Sequence, residues 1–158
     1  MPGRLRCNVV DLNKPATVKA LLGALTSLAR NKGNIFQFVI QNDYYFSIPA
    51  GAITSQAGWY VICDAQGRPI YVGTATNLNS RLNTKDGSLD NFANSQRSSD
   101  DARNFIKAFT SSGTISSLSV VVIAEPALCQ QLGIQPPLSK LDRGNIEKVL
   151  SIFRATVV

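Results

Sequence analysis

The chain has no histidine among its 158 residues. That absence removes Ser-His-Asp triads, Cys-His pairs, imidazole general bases and the commonest zinc ligand in one step. Glutamate is nearly missing too, since only Glu125 and Glu147 carry it among ten acidic residues. Any chemistry that depends on a carboxylate therefore has few candidates. Cysteine is scarce and odd in number: Cys7, Cys63 and Cys129 stand far apart, with no Cys-x-x-Cys pair. This pattern argues against a disulfide framework or a zinc ribbon, and it favours a reducing, cytoplasmic setting. No run approaches the roughly 18–20 apolar residues of a membrane helix. No apolar stretch follows Arg4 and Arg6, so no signal peptide is expected.

What is present suits a folded chain. The hydrophobic fraction is 44% and the mean hydropathy +0.03, values typical of a globular protein long enough to bury a real core. The net charge of +6, with a pI near 9.5, favours a polyanionic partner.

The hydrophobic pattern divides the chain into two units. In the first, residues 1–52, Val18, Leu21, Leu22, Leu25, Leu28 and Ala29 share one face of a helix over Thr17–Arg30. Pro15 marks its start and Gly33 its end. Two β-rich runs follow, Ile35–Ile40 and Tyr44–Ile48, around the turn-prone Gln41-Asn42-Asp43. This unit reads as a helix plus β-hairpin extension.

The second unit, residues 53–158, opens with another hairpin. The run Gly58–Cys63 and the run Ile70–Gly73 flank Asp64-Ala65-Gln66-Gly67-Arg68-Pro69, a segment rich in turn formers. Asn77 is a candidate N-cap for a short helix ending at Leu82. Lys85–Asp101 reads as a long polar loop, of the kind usually functional or mobile. Ala102, Phe105, Ile106 and Phe109 then repeat at helical spacing. Leu118–Ala124 is a β-branched run suited to a strand buried on both faces. Pro126, Pro136 and Pro137 suggest an irregular connection, and a helix is expected from about Ser139 to Phe153 with Ile146, Val149, Leu150 and Phe153 inward. Thr156–Val158 is expected to add an extended end.

Tyrosine in a strand is more often packing than chemistry, so Tyr60 and Tyr71 taken singly carry little. Their surroundings carry more. The arrangement Gly58-Trp59-Tyr60, then Tyr71-Val72-Gly73, then Asn77-Leu78-x-x-Arg81-Leu82 closely resembles the core motif of the GIY-YIG nuclease family. Trp59 and Val72 stand where the family has isoleucines. The resemblance extends from Gly58 to Phe153 and includes a glutamate on a late helix, here Glu147. Glu125, directly before Pro126, does not sit where the family places its metal ligand. Two positions depart from the pattern: Lys85 stands where many relatives carry histidine, and Ala75 where many carry serine.

The resemblance implies an α/β (α+β) fold with a GIY-YIG-like core, a small and mainly antiparallel three-stranded sheet flanked by helices. It also implies hydrolysis of phosphodiester bonds in DNA, with RNA not excluded, using one Mg2+ or Mn2+. Tyr60 would be the general base. A free tyrosine has a pKa of about 10, and positive charge from Arg81 and a metal would favour the phenolate. Tyr71 would orient water or substrate, Arg81 would present its planar donor fork to phosphate oxygens, and Glu147 would hold the cation. Arg68, Lys85, Arg97 and Arg103 are the candidate backbone contacts that would make binding salt-dependent. The long loop and the N-terminal unit are similar to the embellishments of the restriction-endonuclease branch, which read bases and build homodimers. Two rival expectations stand beside the nuclease: a catalytically inactive nucleic-acid-binding module, and a structural or protein-interaction domain.

Overall fold

A computed structural model of the chain describes residues 10–41, 44–45, 51–64, 66–82 and 116–157. The described residues form an α+β fold around one antiparallel sheet. Its strands are β1 (Ile35–Gln41), β2 (Tyr44–Tyr45), β3 (Gly58–Cys63), β4 (Pro69–Ala75) and β5 (Ser116–Ala124), in the order β2-β1-β5-β3-β4. The helices are α1 (Pro15–Arg30), α2 (Leu78–Leu82), α3 (Glu125–Leu132) and α4 (Lys140–Val157).

The sheet corrects the expectation of three strands. β4, β3 and β5 lie side by side as the hairpin and the buried run imply, but β1 pairs antiparallel with β5 from Ile35↔Val121 to Ile40↔Ser116. The N-terminal helix and hairpin thus share a sheet with the rest of the chain. The physical reason is that β5 has two edges. β3 occupies one, and its apolar run would leave the other edge unpaired if β1 did not cover it.

Period-two alternation gives each strand two personalities. Tyr60, Ile62, Val120 and Val122 point to one face, where they cluster with Ile53, Ala75, Leu78 and Leu82. Trp59, Val61, Cys63, Val121 and Ile123 point to the other, packing against α1 (Leu21, Leu25, Leu28), α3 (Leu128, Cys129) and α4 (Ile146, Val149). On α1 the inward stripe is narrower than the sequence suggests, because Leu22 remains 37% exposed.

Two further corrections concern the C-terminal third. Residues expected to form an irregular connection include the helix α3. Pro126 lies in its first turn, where the missing N–H is unpaired in any case, and Gly133 closes it in the left-handed conformation at φ 70°. The helix α4 also runs through Val157, so Thr156 and Val157 do not form the expected extended end. The beginning of α4 is firmly held. Ser139 Oγ accepts from the Asp142 backbone N–H. The fully buried Asp142 accepts the Val10 N–H at 3.0 Å, and Asn145 Nδ2 donates to the Val10 carbonyl. Both backbone groups of Val10 are thereby satisfied by α4.

Cys63, only 5% exposed, feels its burial on the helix-covered face. Burial pushes its thiol up to about 11, with a hydrogen bond involving Ser119 partly opposing the shift. At pH 8 the folded protein should therefore carry about a hundredfold less Cys63 thiolate than an ordinary thiol. Iodoacetamide should modify it only after unfolding, as peptide mass analysis would reveal; rapid native labelling would contradict this packing. The sign for stability follows. The unfolded thiol ionises first, so this group favours unfolding increasingly as pH rises from about 9 towards 11.

Candidate functional site

The hairpin β3–β4 brings the two tyrosines together. Its register pairs Tyr60 with Gly73 and Ile62 with Tyr71, so Tyr60 and Tyr71 are diagonal neighbours on the same face. Their ring centroids are 6.1 Å apart with the planes tilted by 44°, within the range of favourable aromatic contacts. Tyr71 is half-buried, while Tyr60 is only 2% exposed.

Gly73 explains how Tyr60 lies. A methyl group built on Gly73 would run into the Cζ and the hydroxyl oxygen of Tyr60. The phenol head therefore rests directly over the backbone of β4, in space that any side chain at position 73 would occupy. Tyr60 starts on an inner strand but delivers its hydroxyl above β4, the last strand of the described sheet.

The Arg81 helix is docked beside it. Asn77 caps α2 as the sequence implied, its Oδ1 accepting from the Ser80 N–H at 3.0 Å. The backbone N–H groups of Leu78 and Asn79 donate to the carbonyls of Gln56 and Thr54, both at 3.0 Å. Leu78 and Leu82 are fully buried in the Tyr60 cluster, leaving Arg81 exposed between them. Arg81 makes no ion pair with the described residues. Ala75 packs its methyl into this same cluster.

Glu147 stands on α4, a helix that packs along β4 but turns its buried residues Ile146 and Val149 to the opposite face of the sheet. Glu147 itself is half-buried and forms no ion pair among the described residues. The helical neighbour that could have neutralised it, Arg143, is engaged elsewhere. Arg143 Nε and Nη2 donate to both carboxylate oxygens of Glu125, which is 3% exposed. This hydrogen bonding raises the guanidinium pKa further.

The candidate nucleic-acid contacts divide. Arg68 is half-exposed, but its Nε donates at 2.8 Å to Asp64, which also accepts from the Gln66 and Arg68 backbone N–H groups. Its first role is closing the β3–β4 turn. Lys85, Arg97 and Arg103, like the helix expected around 102–109, lie outside the described residues.

Two contacts escaped the sequence reading: the Glu125–Arg143 pair and the bond from Trp59 Nε1 to the Arg143 carbonyl at 3.1 Å. Nothing in the spacing of these residues along the chain signals them. A cavity of about 360 Å3 opens between α1 and α4. It lies on the sheet face away from the tyrosines, and its walls, including Leu25, Val61, Val121 and Val149, carry no charged side chain. Such walls are unsuited to a phosphodiester. Among the described residues, no three His, Cys, Asp or Glu side chains gather into a metal-binding group. No described helix is long and apolar enough to cross a membrane. No family model matches the chain, and searches of the curated proteins and of the solved structures likewise return no match.

Proposed function

We propose that the chain is a divalent-metal-dependent endonuclease that hydrolyses phosphodiester bonds in DNA. The observation that carries this reading is the Tyr60 phenol lying over Gly73, in ring contact with Tyr71, within the cluster that seats the Arg81 helix. Packing alone would be served as well by phenylalanine and a small side chain opposite. Bare backbone beneath a phenolic head is what a positioned hydroxyl requires.

In this reading Tyr60 acts as phenolate. It takes a proton from water as the water oxygen bonds to phosphorus and the bond to the leaving oxygen breaks. Tyr71 holds the water or the substrate in line. Arg81, exposed and unengaged by any described carboxylate, places its planar fork on the phosphate oxygens and offsets the charge that builds there. Glu147 would hold the cation. A half-buried carboxylate with no cationic partner among the described residues suits Mg2+ or Mn2+, since Mg2+ keeps several waters and binds through few protein ligands. When bound, such a cation supplies Lewis-acid stabilisation of the leaving oxygen.

The basic charge of the chain suits a DNA partner, and a homodimer would fit a two-strand cut. One observation favours a second reading, a catalytically silent nucleic-acid-binding module: Tyr60 is 2% exposed, as a purely structural ring would be. Incubating supercoiled plasmid with the protein, in Mg2+ and in EDTA, separates the two. The nuclease nicks or linearises plasmid in Mg2+ only. Salt-sensitive DNA binding with intact plasmid would leave the silent module standing and sink the enzyme.

A further inference from the structure

Arg143 is tied down more heavily than its position near the start of a surface helix requires. Its side chain donates twice to Glu125, and its carbonyl accepts from Trp59 Nε1. Glu125 in turn accepts from the Leu138 N–H, in the loop leading into α4, and its own N–H donates to the Ala57 carbonyl at 2.8 Å. These ties therefore end on Ala57 and Trp59, two of the three residues immediately before Tyr60. Glu147 lies one helical turn beyond Arg143, about 6 Å along α4 and on the same flank.

We infer that the Glu125–Arg143 pair is a positioning device that sets the Glu147 carboxylate relative to Tyr60; this deepens, and rests on, the reading of Glu147 as the metal ligand. Apolar packing of α4 through Ile146 and Val149 holds the helix to the sheet but tolerates sliding and rotation. A two-pronged guanidinium–carboxylate pair does not, because both donors lose their bonds when the helix shifts. Burying such a pair contributes little net stability compared with a well-packed apolar substitute. Its effect is on register, and the register it sets joins the strand of the candidate base to the helix of the candidate ligand.

The test uses the full chain labelled with nitrogen-15, titrated with Mn2+ without DNA, following paramagnetic broadening of the amide resonances of residues 146–148. Wild type should show saturable broadening, and Glu147→Gln should abolish it. Arg143→Lys and Glu125→Gln should each raise the Mn2+ concentration for half-broadening about tenfold. The double variant should be no worse than either single one, as expected of groups acting as a unit. Leu25→Ala, in α1, provides the stability control: it should lower Tm while leaving the Mn2+ midpoint unchanged. A wild-type midpoint in Arg143→Lys, or an equal shift in Leu25→Ala, overturns the positioning role while leaving Glu147 as ligand. Absence of broadening in wild type removes the ligand reading, and the positioning role with it.

Discussion

Replacing Tyr60 with phenylalanine should reduce plasmid cleavage by at least about a hundredfold, the lower range for losing a general base, with little change in Tm. The ring is buried among Ile53, Ile62, Leu78 and Val122, and phenylalanine keeps all of that contact, so the fold should persist. Only the hydroxyl over β4 is lost. Arg81→Ala should show a comparable loss, because it removes the one charge borne by α2 while Leu78 and Leu82 still anchor the helix. Full activity in Tyr60→Phe, with DNA binding unchanged, would remove Tyr60 from the chemistry and leave it as a core residue.

The second large effect is expected at Gly73. A methyl group there meets the Tyr60 ring head, so Gly73→Ala must push the phenol aside or bend β4. Overpacking of this kind costs about 1–3 kcal/mol, which urea denaturation would resolve, and cleavage should be lost with the displaced hydroxyl. The cause can be isolated by a double-mutant cycle. In a Tyr60→Leu background, which lacks the ring head, Gly73→Ala should cost little stability. An equal cost in both backgrounds would mean that the methyl group offends something other than Tyr60.

Local patterns in the sequence account for much of this architecture. The helix stripe at Leu21, Leu25 and Leu28, the turn at Asp64–Pro69, the Asn77 cap and the buried run at Val120–Ile123 are all signalled by nearby residues. What the chain did not display is what depends on distant partners. Pro126 looked like a break because the preceding strand ends at Ala124, yet proline in a first helical turn costs nothing, and Gly133 marks the actual stop. The joining of β1 to β5 depends on which strand edge is free, a property of the assembled sheet. The site shows the same division. Tyr60 and Tyr71 meet because a hairpin is local structure, and the helix that carries Arg81 seats Leu78 and Leu82 in the same cluster because it follows directly in the chain. Arg143 stands one helical turn before Glu147, but the buried Glu125 takes it instead. The tertiary pair gives the guanidinium two bonds to one carboxylate, where an exposed helical pair contributes little, and it leaves Glu147 without a described cation.

The central claim is that Tyr60, Arg81 and Glu147 serve one phosphodiester. The most direct test is an anomalous diffraction map from crystals of the chain grown with Mn2+ and a DNA duplex that resists cleavage. The account predicts a manganese peak at bonding distance from the Glu147 carboxylate, with a phosphate between that ion and the Tyr60 hydroxyl and within reach of Arg81. Manganese on another carboxylate, or DNA bound away from the β4 edge, would contradict it.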